Sequence, residues 1–460
     1  MADLRNKNAM THGTIWKEIL LFFFPILIGA FFQQLYNTVD AVIVGRAAGK
    51  AALASVGGSS GQILNFVFSF FMSLSAGATV IIAQFFGADD TARVDDALHT
   101  AYAFSLSGGL VLGAICCALA GPLLRLLRTP SDLMDSSLIY TRVLFAGLVL
   151  TLIYNMGAGI LRAVGDSKRP LYILIVCCVM NIVLDLFFVM VLRMGVLGAA
   201  VATDISQAVS AVLVTWLLMK KTRGMRLSLR RLHITRRILR KILAIGLPTA
   251  LADSMFGVSN MILQTAINRM GIDCVAAWTA YGKLDAIWWM INNAFSTSII
   301  TFVGQNFGAG LPHRIRRGTR TVLAMETAAG IGMSAFVLLF GGTLLRLFTD
   351  DPGVIAVGVR MMRVIAPFYW VFAVFEILSA TLRAESCVII STVTNLIGVC
   401  LYRVVWVRLI VPDGSVEQML ACYPISWIVI SVFMAFYYLI RQKQILAAQI
   451  PRRAETGSRG

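Results

Sequence analysis

QFFGA at residues 84–88 and QNFGA at residues 305–309 are one motif written twice, 221 residues apart. The same offset carries LLRL from residues 123–126 to residues 344–347, and LRA from residues 161–163 to residues 382–384. Nearer the start of each copy the offset becomes 223: Pro25 answers to Pro248, Asn37 to Asn260 and Arg46 to Arg269. The chain is therefore two copies of one module. Composition names its solvent. Of 460 residues, 58% are hydrophobic and 14% charged, where a soluble protein carries about 25% charged residues. A large soluble core would need a polar shell that this chain lacks. A pseudo-twofold membrane protein follows, and the seam between such halves is where a transporter holds its cargo.

Apolar runs fall at about 18–45, 57–85, 98–123, 138–161, 171–192 and 196–219, then at about 243–267, 275–303, 320–345, 361–382, 388–410 and 419–440. Each matches the roughly 20 residues that a helix needs to cross the hydrocarbon core, and exceeds a barrel strand. The expected fold is an all-α membrane protein with twelve transmembrane helices in two six-helix bundles. Its parts are a cytoplasmic segment 1–17, an N-lobe 18–219, a basic linker 220–242, a C-lobe 243–440 and a basic tail 441–460. An even number of spans per module makes the repeats parallel, related by an axis along the membrane normal. The first apolar run continues past Pro25 without a small-residue cleavage site, unlike a signal peptide.

Charge sets the orientation. Residues 220–241 hold ten Lys and Arg and no acid; Arg314, Arg316, Arg317 and Arg320 reinforce the same side. The positive-inside rule then places both termini on the cytoplasmic side of the membrane. The net charge of +17 is met by anionic lipid headgroups rather than nucleic acid. Leu229, Leu232, Ile238 and Leu239 interleave with arginines, so the linker is expected to hold a short interfacial helix. The eight cysteines lack metal-ligand spacing and read as small hydrophobes.

Ionised groups inside a bilayer cost roughly 2.5–3.5 kcal/mol each on insertion scales and normally face protein or water. Gln33, Gln34, Asn37 and Asp40 form a polar stripe along the first span. Asn181 and Asp185, one turn apart in NIVLD, form another on the fifth. Asp40, Asn181 and Asp185 are the expected ion-coupling residues. Together they could hold a dehydrated Na+, or the carboxyls could share a proton, because like charges repel strongly in a low dielectric. Asp204 joins them from the sixth span. Gln34, Asn37 and Gln207 are expected to line the substrate cavity.

The second lobe is not a mirror image. Asp40 corresponds to Leu263, while Glu376 stands where the first lobe has Asn155. Asp285 and Glu376 are the expected cavity residues there. Trp278, Trp288, Trp289, Phe368, Tyr369 and Trp370 would add cation–π surface for organic cations. Gly109 and Gly113 form a small-residue pair for close helix approach. Pro25 and Pro248 permit kinks, and Gly87 and Gly308 are expected to terminate helices. There is no Walker-type loop, so ATP drive is not encoded. No catalytic residues are assigned, and the protein is not read as an enzyme.

PILIGAFFQQLYNTVDAVIVG, the two Q-x-F-G-A motifs, LRAVGDSKRP, NIVLD and GAAVATDISQ, in that order, resemble the multidrug and toxic compound extrusion (MATE) transporters in their bacterial branch. The resemblance runs over about residues 14–445. It implies a MATE-like fold with a V-shaped cavity that alternately faces each side. It implies antiport of amphiphilic, cationic organic compounds against Na+ or H+, with no cofactor. Asp40, Asn181 and Asp185 fall on the family's N-lobe ion positions. Asp204 stands where a neutral residue is usual, and Phe256 lies nearest the place of an acid that some members carry in the seventh span. Glu376 is one turn from the tenth-span acid of those members.

The nearest alternative is a lipid-linked oligosaccharide flippase of the wider superfamily, which calls for a cationic cavity. A non-transporting receptor or scaffold gives no reason for two buried acids. The expected partners are small amphiphiles and membrane lipids, with the chain acting as a monomer.

Overall fold

The computed structural model describes residues 9–220, 225–410 and 414–447, and its regular elements there are helices. In chain order they are α1 (Ala9–His12), α2 (Ile15–Ala47), α3 (Gly49–Gly57), α4 (Ser59–Gly87), α5 (Thr91–Leu126), α6 (Ser131–Ala146), α7 (Leu148–Ala163), α8 (Lys168–Asp185) and α9 (Gly195–Met219). Then follow α10 (Arg236–Asn268), α11 (Ile272–Gly308), α12 (Pro312–Leu345), α13 (Pro352–Ile365), α14 (Tyr369–Ala384), α15 (Val388–Asn395), α16 (Tyr402–Val405), α17 (Val416–Leu420) and α18 (Cys422–Ala447). Ten helical stretches are long and apolar enough to cross a membrane, and α6 with α7, bent by 46° at Gly147, makes an eleventh. The twelfth expected span is α11, 37 residues long, whose Lys283, Asp285, Asn292 and Asn293 dilute its apolar character.

The chain forms two compact units, Leu21–Ala250 and, with Met10–Leu20 added, the chain from Leu251 onward. Helix α2 thus begins in the second unit and α10 begins in the first. Pro25 and Pro248 lie within five residues of those crossing points. Each unit is built around a 16-residue helix, and the two are 221 residues apart at both ends: α7 packs on α4, α5 and α9, and α14 packs on α11, α12 and α18. The internal repeat is therefore a repeat of packing as well as of sequence.

Small residues let the helices of the first unit touch backbone to backbone, as the membrane interior favours. A Cβ on Gly109 would lie 2.8 Å from the Cα of Val149, and one on Gly113 would lie 2.7 Å from the carbonyl oxygen of Phe145. Gly77 of α4 and Gly246 of α10 make the closest crossing. A Cβ on Gly246 would meet the Leu74 carbonyl oxygen at 2.7 Å.

Helix ends show where local chemistry acts. Asp90 caps α5 by accepting from the Arg93 N–H at 3.0 Å, and Asp351 caps α13 in the same way, each satisfying an orphan amide. The Q-x-F-G-A motifs end α4 and α11, but Gly87 and Gly308 remain helical. The left-handed residues are Asp89 (φ +54°) and Gly310 (φ +67°), two positions later in both copies. The motif's one polar change has a visible use. Asn306 Nδ2 donates to the Met10 carbonyl at 3.1 Å, and Arg314 Nη2 donates to the carbonyls of Met10 and Gly13 at 3.1 and 2.9 Å, so the N-terminal turn is tied to the second unit.

The linker differs from expectation. Its described part is a single 3₁₀ turn, Leu229–Arg231, and α10 already starts at Arg236 rather than near 243. Instead of forming an interfacial helix of its own, it docks on α5. The Ser228 N–H donates to His99 Nε2 at 3.1 Å and the Thr235 N–H donates to Thr100 Oγ1 at 3.1 Å.

Glu385, just beyond α14, is buried, with Gln442 Nε2 donating to one oxygen at 3.3 Å. Burial pushes its carboxyl up to about 7, against the pull of the Arg441 charge. The folded chain therefore holds this proton more tightly than the unfolded chain does. The resulting stability is complete below about pH 4.3 and lost as pH rises to about 7. Glu385→Gln should leave the thermal midpoint unchanged at pH 4 and raise it by a few degrees at pH 8. An unchanged midpoint at pH 8 would show that ionised Glu385 is already compensated.

Candidate functional site

In the first unit, α2, α6, α8 and α9 bring Tyr36, Asp40, Tyr140, Asn181, Asp185, Thr203 and Asp204 into one neighbourhood. Asp40 is 8% exposed, Asn181 1% and Asp185 0%. Asp40 and Asp185 face each other within hydrogen-bonding reach. Tyr140 lies in the field of Asp40, Asp185 and Asp204, and Tyr36 Oη is 3.3 Å from Thr203 Oγ1. Tyr36 and Asp40, one turn apart on α2, turn inward, while Gln34 and Asn37 are exposed.

The decisive feature is what these groups lack. Among the described residues, Asp40 Oδ1, both oxygens of Asp185 and both amide atoms of Asn181 are buried without a hydrogen-bond partner. Gln207 Oε1 is in the same state. Such groups are rare in folded proteins and each costs about 1–3 kcal/mol, more when charged. Two facing carboxylates without donors repel until a proton or a small cation comes between them, and Asn181 is placed on the same face to add a carbonyl oxygen. Asp204 is half-buried, and its carboxylate lies against Gly147, occupying the space that a side chain there would need. Among the described residues there is no group of three or more His, Cys, Asp or Glu that could hold a metal ion. The site is a two-acid pair with an amide rather than a multi-acid centre.

Backbone geometry sets Asp185 apart. It is the last residue of α8, and the span continues as a π-helical turn, Leu186–Val191. Such turns widen the helix and recur at functional positions. The span Val388–Leu409 does the same: α16 is flanked by π turns at Leu396–Leu401 and Trp406–Ile410. At the 221-residue offset Arg403 falls on Ile182, inside NIVLD. The helix that carries an acid in one unit carries an arginine in the other.

The second unit holds its own polar groups. Asp285 is fully engaged. Tyr281 and Tyr369 donate to Oδ1 at 3.2 and 2.6 Å, and Trp289 donates to Oδ2 at 2.7 Å. Glu376 is tied by Arg383 Nη2 at 2.6 Å and Ser296 Oγ at 2.7 Å. Glu326 and Arg403 are the residues that sequence reading passed over. Glu326 is fully buried; Asn292 donates to Oε1 at 2.9 Å, and among the described residues Oε2 has no partner. Arg403 is 1% exposed, donates from Nη1 to Asn260 Oδ1 at 2.9 Å, and stacks 4.0 Å above the Tyr423 ring. Each is a single charge in an apolar run, the signal that marked Asp40. Of the aromatic cluster, Trp278 and Trp289 line a cavity of about 210 Å³ beside Asp285, Asn260, Tyr423 and Trp427. Trp288 is buried against Tyr369, and Trp370 is exposed.

Known proteins agree with this architecture. A family model described as MatE matches residues 25–187 and again residues 248–407. A probable multidrug resistance protein, YpnP of Bacillus subtilis (strain 168), is 30% identical over 85% of this chain and 88% of its own length. An FAD transporter of Shewanella oneidensis is 24% identical over 95% of this chain and 97% of its own. The solved outward-facing structure of a multidrug resistance MATE family transporter of the MOP superfamily superposes with a TM-score of 0.89 at 22% identity, covering 96% of this chain and 99% of that one. With its doubled MatE match and its many apolar spans, this chain is a multi-pass membrane protein that belongs to the MATE family of efflux transporters, in its bacterial branch.

Proposed function

We propose that the chain is a secondary active antiporter that exports amphiphilic, cationic organic compounds in exchange for Na+ or H+ by alternating access. Asp40 and Asp185 form the coupling pair, with Asn181 as a third oxygen donor and Asp204 modulating their field. The observation that carries this reading is that, among the described residues, no hydrogen-bond donor meets Asp40 Oδ1 or either oxygen of Asp185, although the two carboxyls lie within reach of each other. A pair in that condition demands a cation. An organic cation competes with the coupling ion for the same negative field, and such mutual exclusion is what links the two fluxes. The multidrug resistance role named for the Bacillus subtilis relative supports export of organic compounds. The proposed setting is the bacterial inner membrane, as a monomer, with both termini and the basic linker in the cytoplasm facing anionic headgroups.

The test uses purified protein in liposomes, with Na+ and pH gradients imposed separately and ethidium efflux followed by fluorescence. Export should follow at least one inward cation gradient and stop when that gradient is collapsed. Export indifferent to both gradients would end the antiporter reading.

A further inference from the structure

We infer that the aromatic cavity of the second unit selects quaternary ammonium cations over protonated amines, and that Tyr281 sets this preference by occupying an acceptor position on Asp285. The inference deepens the exporter reading, on which it rests for the identity of the cation as cargo.

Six rings wall the cavity: Phe256 from α10, Trp278, Tyr281 and Trp289 from α11, and Tyr423 and Trp427 from α18. They meet tilted or edge to face. Phe256 and Trp289 are 6.0 Å apart at 66°, Trp278 and Tyr423 are 6.3 Å apart at 45°, and Tyr423 and Trp427 are 5.6 Å apart at 78°. Rings at such angles enclose a volume on several sides, the arrangement in which aromatic side chains hold a quaternary ammonium group. Asn260 and Gly282, also on the wall, are exposed, so the cavity is not sealed from the surface. Its volume of about 210 Å³ is smaller than a drug-sized site and suits a single ring with a compact cationic head.

Asp285 is the charged residue of the wall. A carboxylate has about four lone-pair positions, and Asp285 has donors on most of them. Tyr369 and Tyr281 donate to Oδ1 at 2.6 and 3.2 Å, and Trp289 donates to Oδ2 at 2.7 Å. Asp285 therefore offers charge but little hydrogen bonding. A quaternary ammonium ion asks for no more than that, since it has no N–H. A primary ammonium ion brings three N–H bonds and gives up their water on entry, and those left without an acceptor weaken binding. Arg403, which does not line the cavity but stacks on the Tyr423 and Phe256 rings, offsets the pull of Asp285 on both cations alike. Selectivity is a difference between affinities, so that offset cancels and the hydrogen bonds decide. Of the two tyrosines on Oδ1, Tyr369 is fully buried and stands behind the wall, whereas Tyr281 lines it. Removing the Tyr281 hydroxyl frees an acceptor position beside the cavity and keeps the ring.

The probes are benzyltrimethylammonium and benzylammonium, which share a ring and a charge and differ in N–H donors. Equilibrium dialysis against purified protein in lipid nanodiscs gives both affinities without any gradient. Wild type should bind benzyltrimethylammonium about tenfold more tightly, the size of an unmet hydrogen bond. Tyr281→Phe should tighten benzylammonium several-fold and leave the quaternary compound nearly unchanged, so that the preference narrows. Asp285→Asn should weaken both by a similar factor. Equal or reversed preference in the wild type would overturn the assignment even if neither variant folds. So would an unchanged preference in Tyr281→Phe, or quaternary binding untouched in Asp285→Asn, which would put the cation elsewhere. Because binding is read at equilibrium, loss of gradient-driven ethidium export would sink the antiporter reading and leave this result standing.

Discussion

Asp185→Asn should reduce gradient-driven export to the leak rate of protein-free liposomes while leaving the protein as stable as wild type or more so. The substitution keeps the shape of the side chain and removes its charge. In the wild type both Asp185 oxygens are buried without a donor among the described residues, and the Asp40 carboxyl faces them. Removing one charge from a repelling pair relieves the folded state, because an uncompensated buried charge is among the most destabilising features of a fold. It also removes the attraction that makes cation entry favourable. An ordinary structural acid would show the opposite pattern, with lost stability and retained export per folded molecule. Asp40→Asn should behave likewise. Flux per folded molecule and thermal midpoint, measured on the same preparation, separate the two cases; normal driven export in Asp185→Asn would acquit it.

Gly77→Val should destabilise the first unit by about 1–3 kcal/mol or more and strongly reduce the yield of folded protein. A Cβ at residue 77 would collide with the Ile242 carbonyl oxygen and approach the Gly246 nitrogen and Cα at 2.8 and 3.0 Å. These are backbone atoms of α10, so no rotamer change makes room, and α4 and α10 would have to separate. Gly257→Ala is the matched control. It lies on the same α10, nothing stands within 4 Å of its added methyl, and replacing a helical glycine by alanine is neutral to favourable. Size-exclusion recovery after heating should fall sharply for the first variant and not for the second. Equal recovery would show that the crossing can open at little cost.

The sequence made the doubled architecture legible because both copies kept their packing residues. The helix pair α7 and α14 recurs at the same 221-residue offset as the motifs. Asp40 and Asp185 were legible for a different reason, since a carboxylate inside an apolar run needs an explanation wherever it faces. Their pairing as a shared ion or proton site was expected from the sequence, and what the coordinates add is which of their oxygens lack a donor. Glu376 shows the limit. Sequence marks it as an acid in a span, and only coordinates reveal Arg383, seven residues on along the same helix, holding it at 2.6 Å. Gln34 and Asn37 share a helix with Asp40 but are exposed, because the stripe is wider than the face that α2 buries. The break at Gly147 lies inside a run read as one span, and the Asp204 carboxylate fills the space beside it. Arg403 and Glu326 carry the same signal as Asp40, a charge within an apolar run, and their burial is what the coordinates add.

The central claim is that the Asp40–Asp185 pair holds a cation that cargo displaces. The most direct measurement is the Na+ and H+ released when tetraphenylphosphonium is added to weakly buffered, solubilised protein, read with a sodium electrode and a pH indicator. Wild type should release one of the two ions in proportion to the cargo bound, and the Asp40→Asn/Asp185→Asn double variant should release neither. Equal release from the double variant would place the coupling ion elsewhere in the molecule.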